Sequence, residues 1–348
     1  MGIKQLSAVL KENCKKGIKE KPVASYTFKK IAIDISNFIY QFLIAVRSSG
    51  NPLGYGDIPT SHLIGMFYRT LRIVESGIIP IFIFDGKPPE LKIYELKKRK
   101  EKREKADEEL KIAEELENKI EIEKQTKRKI KVTDEHVKDC KKLLDLLKIP
   151  YLTAPSEAEA FCAYLCKQKI VHAVATEDMD TLPFGGLKLL RNFSAGVTKN
   201  QKIIEYNLEE LLKDLDMNLD EFIDLCILLG CDYTESCKGI GPKKSLIFIK
   251  KYKNIENIFK NEKIEKNELF NFEKAREIFK ELSSIEVDID EREMNIKWDE
   301  IDMKEIKKYL VEEKGFEEKR VENGVNMMMK CRNKAKQSSL DAFIKKKQ

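Results

Sequence analysis

The sequence has little of what most nucleophilic and zinc chemistry needs. It holds three histidines in 348 residues, none near the acids discussed below, and no Ser-His-Asp arrangement. Its eight cysteines (14, 140, 162, 166, 226, 231, 237 and 331) form no CxxC pair and no zinc spacing. Several lie in apolar runs, which predicts buried thiols in a reducing compartment. No apolar run is long enough to span a membrane and no signal peptide is visible, so a soluble intracellular protein is expected. Position 6 is Leu, where N-myristoylation after Met1-Gly2 wants Ser or Thr. There is no Walker loop. Proline is absent after Pro242, and between Glu90 and Ile149 neither glycine nor proline interrupts the chain.

What the sequence does have is charge: 36% of residues, with a net +6. A mildly basic chain whose acids gather in a few places suits a polyanion binder with cation-binding pockets. The acids follow a pattern. Lys29–Ile35 (KKIAIDI) is an apolar run that delivers Asp34 before the helix-like Ser36–Val46. After a helical Thr60–Ser76 stopped by Gly77, the strand-like Ile79–Phe84 runs into Asp85. His172–Thr176 reads as a buried strand followed by Asp178 and Asp180, and the amphipathic Leu219–Leu229, closed by Gly230, leads to Asp232. Strands alternating with helices predict an α/β fold with a mostly parallel central sheet flanked by helices. In such a sheet, acids just past several strands collect along the edge where ligands bind.

Glu157 and Glu159 fall at a helix start marked by Pro155-Ser156. Here two readings stand side by side. Ser156-x-x-Glu159 is a capping box and acids suit a first turn, so capping explains this pair, and Asp178/Asp180, when each is taken alone. Taken together, seven carboxylates in one pocket repel each other and raise their own proton affinity unless a divalent cation relieves them. Oxygen-only ligation suits magnesium or manganese. Two such ions a few ångströms apart can activate water and stabilise the leaving oxygen in phosphodiester hydrolysis.

Glu90–Lys131 carries 15 basic and 12 acidic residues, a composition expected of a solvated helix. Its first part, Lys92–Lys105, is skewed to 8 basic against 3 acidic residues, and Lys92, Arg99 and Arg103 share one helical face. Such a face can hold a phosphate beside the acids. In Lys238–Tyr252, Gly239, Gly241, Pro242, Lys243 and Lys244 form a turn of helix–hairpin–helix type, which grips a nucleic-acid backbone without reading bases. The plain alternative is a turn between helices. Asn254–Arg332 reads as helical, broken near Trp298 and Gly315, and a polar tail follows from Asn333.

The stretches MGIKQL, AIDISNFIYQFLIAVR, TSHLIGMFYRTLR, FDGKPPELK, PYLTAPSEAEA, ATEDMDTLPFG, DLCILLGCDY and KGIGPKK, in this order and with a clamp-binding-like tail, resemble the flap endonucleases of the structure-specific 5′-nuclease family. The wording looks eukaryotic. The resemblance implies one nuclease domain over 1–332: an N-terminal region 1–106, a helical gateway and cap over 90–131, an internal region 132–260 with the duplex-binding turn at 238–252, and C-terminal helices 261–332. A flexible tail, 333–348, completes the chain.

The resemblance further implies removal of 5′ flaps in Okazaki-fragment maturation and long-patch base-excision repair, on a double-flap substrate with a one-nucleotide 3′ flap. Exonuclease activity is expected beside it. By similarity, Asp34, Asp85, Glu157 and Glu159 serve a first Mg2+ (or Mn2+), and Asp178, Asp180 and Asp232 a second. Lys92 and Arg99 would contact the scissile phosphate, and Tyr40 would stack on the unpaired nucleotide. Arg47, Arg69 and Arg103 join the DNA-contacting set, and Gly239, Gly241, Lys243 and Lys244 hold the downstream duplex with K+ at that turn. Thr60, Lys314, Phe316 and Arg320 fall at the 3′-flap pocket.

Gln337, Leu340, Phe343 and Ile344 align with the sliding-clamp-binding box, although Ile344 stands where a second aromatic is usual. The tail also ends sooner than the basic extension of many eukaryotic relatives. A monomer assembling on a trimeric clamp is expected, in the nucleus, with nucleolus or mitochondrion as alternatives. The rival readings are another 5′-nuclease branch (repair exonuclease, bubble nuclease or junction resolvase) and a DNA-binding scaffold that has lost catalysis.

Overall fold

The computed structural model describes residues 2–47, 54–55, 58–59, 61–116, 118–199, 201–264, 267, 269–285, 287, 289–290, 294–297 and 300–345. Nine strands are present among them: β1 (Ile18–Lys21), β2 (Lys30–Asp34), β3 (Gly54–Tyr55), β4 (Ile58–Pro59), β5 (Ile79–Phe84), β6 (Tyr151–Thr153), β7 (Ala173–Ala175), β8 (Lys188–Arg191) and β9 (Ile203–Asn207). β3 and β4 pair only with each other. The other seven form one sheet in the order β1-β9-β8-β7-β2-β5-β6.

β8, β7, β2, β5 and β6 run parallel, and β9 alone is antiparallel to both its neighbours. This is the mostly parallel sheet the alternating pattern predicts. From β2 the chain moves outward to β5 and β6, then returns to place β7 on the other side of β2. The order therefore reverses between β2 and β7, and a crevice opens beyond their carboxyl ends.

Both faces of the central strands are covered, with the two-residue period of a strand deciding which side chain goes where. Ala32, Ile81, Ile83 and Val174 pack against Phe161, Cys162 and Leu165 of the helix Ala158–Lys167. Ile31, Ile33, Phe82 and Phe84 face the opposite layer with Phe38, Met66, Phe67, Leu71, Leu143 and Leu144. A third core joins the short first helix (Leu6–Asn13) to the helices Leu208–Leu215, Leu219–Leu229, Pro242–Tyr252 and Phe272–Ser284.

Several expectations shift. β1 is a strand with no apolar signal of its own, formed because β9 offers an edge. The run Leu187–Phe193, which reads as one strand by sequence, is strand only over Lys188–Arg191, and Phe193–Lys199 is helical. The gateway stretch is two helices, Glu90–Glu115 and Lys119–Arg128. The last helix, Glu318–Lys345, continues through residues 333–345 of the expected tail.

Candidate active site

The backbone fixes the acids before any side chain chooses a rotamer. β2 ends in Asp34, whose carboxylate turns back over the start of the next helix: Oδ1 accepts the Ser36 N–H (3.0 Å) and Oδ2 accepts the Thr176 hydroxyl (3.2 Å) from the end of β7. Asp85 leaves the parallel neighbour β5. Its Oδ2 accepts the Ser36 hydroxyl, and its Oδ1 accepts the Ala158 N–H at 3.0 Å. Asp85 thus caps the helix Ala158–Lys167 from another strand. The capping box expected from Ser156 and Glu159 does not form: Glu157 is the N-cap and makes no side-chain cap bond, while the Ser156 hydroxyl donates to the Lys87 carbonyl at 3.0 Å. With its first turn served by Asp85, the helix leaves both glutamates available to the crevice.

Beyond β7, the Asp178 N–H donates to Thr176 Oγ1 (3.1 Å), and Asp180 Oδ1 accepts the Ile3 N–H at 2.7 Å. The chain's second residue is packed against these acids. Gly2 has φ +75°, and a methyl group built on it would lie 1.6 Å from Asp178 Oδ1 and 2.4 Å from Asp180 Oδ1. Only glycine fits there.

Opposite this floor stands the helix Glu90–Glu115, which holds the first part of the stretch expected as gateway. Lys92 Nζ pairs with Glu157 Oε1 at 2.7 Å, and Arg99 pairs with Asp232 and with Glu95. The second oxygen of Glu157 accepts the hydroxyl of buried Tyr233. Between floor and helix lies a groove of about 930 Å³. Asp34, Asp85, Glu157, Glu159, Asp178 and Asp232 line it together with Lys92, Arg99, Arg103 and Tyr40, and Asp180 lies just beneath. Six of the seven acids therefore share one surface: Asp34, Asp85 and Asp178 from beyond strand ends, Glu157 and Glu159 from a helix start, and Asp232 from a helix end.

Their electrostatics are those of a site short of positive charge. Burial, with Asp85 and Asp178 adding to it, pushes the Asp34 carboxyl up to about 7. Glu159 is raised well above the usual range by burial and by Asp34, against the lowering effect of Lys92, and Asp180 is raised by burial and by Asp178 and Asp232. Burial alone would lower Lys92, but Glu159, Glu157 and Asp232 outweigh it and raise its proton affinity. Among the described residues no three His, Cys, Asp or Glu side chains stand as a finished metal shell, and Lys92 and Arg99 engage Glu157 and Asp232. The donor set is nonetheless all oxygen and crowded, and three of its members gain proton affinity from burial and from neighbouring acids. It fits hard divalent ions.

The remaining candidates separate into three groups. Gly239 (φ +80°), Gly241, Lys243 and Lys244 form an exposed turn pinned from below by buried Ile240, with Pro242 opening the helix Pro242–Tyr252. A methyl group on either glycine would meet nothing within 4 Å, so the turn's outer side is open. Arg320 is exposed and pairs with Glu317 at 2.7 Å.

A second group is turned inward. Arg69 sits over the Phe42 ring (3.7 Å) and donates to Ser194 (2.9 Å), and its burial lowers it to about 10. Lys314 places Nζ 2.9 Å from both oxygens of Asp139, which also binds His62 and Tyr309. Phe316 is buried edge-on to Phe67. Of the third group, Thr60 and the side chains of Arg47, Gln337, Leu340, Phe343 and Ile344 lie outside the described residues; the last four occupy positions on the helix Glu318–Lys345.

Gly2, Ser36, Thr176 and Tyr233 lie against these acids, and the sequence reading did not single them out. Only Tyr233, next to Asp232, carried any local signal.

Residues 1–106 match the XPG N-terminal domain and residues 148–232 the XPG I-region. The first contains Asp34, Asp85, Lys92 and Arg99, and the second the other five acids. Flap endonuclease 1 of Encephalitozoon cuniculi is 54% identical over 345 residues, 99% of either chain. The chain belongs to the flap endonuclease family. The flap endonuclease 1 of Enterocytozoon bieneusi is 42% identical over 100% of both chains. Among solved structures, flap endonuclease-1 from Methanococcus jannaschii superposes with a TM-score of 0.69 at 34% identity, covering 90% of this chain and 96% of its own. The catalytic core of Rad2 in complex with DNA substrate gives 0.66 at 27%, covering 94% and 100%. This flap endonuclease is thus a structure-specific nuclease, and the groove is where its acids and cations meet.

Proposed function

We propose that this flap endonuclease cuts one phosphodiester at the base of a 5′ flap, with exonuclease activity on the same groove. Asp34, Asp85, Glu157 and Glu159 would hold one divalent ion and Asp178, Asp180 and Asp232 a second, magnesium or manganese. When bound, such a pair supplies an activated water and charge stabilisation at the leaving oxygen. The protein's own part is positional. Thr176, Ser36 and Tyr233 fix the rotamers of Asp34, Asp85 and Glu157, so the oxygens need no rearrangement when a phosphate arrives. Lys92 and Arg99, now paired with Glu157 and Asp232, exchange those carboxylates for the scissile phosphate. The single observation behind this reading is the groove with acids on one wall and Lys92, Arg99 and Arg103 on the other.

Tyr40 on the groove wall stacks on the unpaired nucleotide, and the open turn at Gly239–Lys244 takes the duplex backbone, with K+ at its carbonyls. Lys314 and Arg320, with Phe316 between them in sequence and Thr60 from the other end of the chain, serve the one-nucleotide 3′ flap; Lys314 would have to leave Asp139 to do so. Gln337, Leu340, Phe343 and Ile344 dock a sliding clamp, which places a monomer of this enzyme in nuclear Okazaki-fragment maturation and long-patch base-excision repair.

Magnesium-dependent incision of a labelled double-flap DNA tests the core of this, with Asp180→Asn as control. Binding without incision by the wild-type protein would refute it. For the tail, Phe343→Ala should abolish clamp stimulation and leave intrinsic cutting intact; unchanged stimulation would remove the clamp assignment.

A further inference from the structure

The gateway helix has almost nothing apolar to hold it over the acids. Its only buried residues, Ala106, Leu110 and Ala113, are in its second half. The first half, which carries Lys92 and Arg99, is held by ion pairs. Two of these pairs, Lys92–Glu157 and Arg99–Asp232, must break if both cations are to reach a phosphate. A third pair has no such conflict: Lys98 with Glu235. Neither residue lines the groove.

Both partners are prepared for this contact. Lys98 Nζ lies 4.8 Å from the centre of the Tyr94 ring one turn back on its own helix. Glu235 sits on an anchored loop: its N–H donates to the Leu269 carbonyl (3.3 Å), the neighbouring Thr234 hydroxyl donates to the same carbonyl (3.2 Å), and Thr234 Oγ1 accepts the Asn271 N–H at 2.8 Å. That loop joins Asp232 to the turn at Gly239. Adjacent residues of the helix, Lys98 and Arg99, therefore grip acids three apart on one loop.

We infer that the Lys98–Glu235 pair is the pin that keeps the gateway helix in register with the Asp232 loop while Lys92 and Arg99 move from carboxylates to DNA. This rests on the role given to Lys92 and Arg99 above. Lys98 and Glu235 are positioning residues: they touch neither substrate nor the acids, and their loss acts by letting the two cations drift. Because the same loop leads to the duplex-binding turn, the pin also links duplex occupancy to the placement of the helix.

The test is a charge-swap cycle on the full chain, read as single-turnover cleavage of double-flap DNA at saturating enzyme and magnesium. Lys98→Glu and Glu235→Lys should each slow incision roughly tenfold, the scale of a small misplacement of reacting groups. Duplex affinity should change less than about twofold, since the turn is untouched. The double swap should recover most of the lost rate. In the alanine cycle, Lys98→Ala, Glu235→Ala and the double variant should lose the same amount, because one interaction can be lost only once.

Single variants at wild-type rate, a double swap as slow as the worse single, or additive alanine losses would each overturn the pin. Wild-type protein that cuts while the cycle is additive refutes only this inference. Wild-type protein that does not cut refutes the nuclease reading beneath it.

Discussion

The floor and the wall of the groove are built by opposite means. On the floor, Asp34, Asp85 and Asp180 each accept a backbone N–H from a different segment, so three strands and the N-terminal residues all constrain where the oxygens lie. On the wall, Lys92 and Arg99 extend from a half-helix with no buried residue, held by ion pairs to Glu157, Glu95 and Asp232. The difference teaches how one site can be both preorganised and open to a bulky polymer. The acids sit at positions held by backbone N–H groups, and the cations proposed to exchange partners ride on a weakly packed helix.

Removing a floor acid should have the largest effect. Glu159→Gln should lower the single-turnover rate by about two to three orders of magnitude, the range seen when a preorganised electrostatic group is lost, and leave DNA affinity nearly intact. A comparable loss of binding would mean the floor mainly anchors DNA. Lys92→Ala comes next, at roughly a hundredfold in rate with little change in affinity. If rate and affinity fall together, wall and floor are not separate in function.

Gly2→Ala should slow cutting by about tenfold, since the new methyl group forces Asp178 and Asp180 from their places. An unchanged rate would show that the floor can yield. The smallest effect is on stability. A carboxyl raised to about 7 in the fold and near 3.9 unfolded binds its proton more tightly when folded, so metal-free protein should lose stability as pH rises between those values. Saturating magnesium should remove that slope in thermal melts. A flat metal-free profile would mean the buried acids are already compensated.

The floor was largely legible in the sequence, and the wall only in part. An apolar run ending in an acid is a local pattern, and its recurrence at Asp34, Asp85 and Asp178/Asp180 predicts convergence once the sheet is parallel. Ser36, Thr176 and Tyr233 gave no such signal, because a hydroxyl acquires its role only when tertiary contacts bring it to a carboxylate. The Ser156–Glu159 capping box was a sound local reading overturned from afar: Asp85 already serves that helix end. Arg69 looks like a surface residue by type, yet it lies against aromatic rings, and Phe316, expected at a binding pocket, is buried in the core as its type predicts.

The double duty of the floor acids bears on how an inactive form should be made for trapping substrate. Truncating Asp34, Asp85 or Asp180 would strand an amide hydrogen inside the protein, and the resulting shift could be mistaken for a consequence of lost chemistry. Glu159 and Asp232 hold no such amide among the described residues, so amide isosteres at those two positions offer the cleaner silent enzyme.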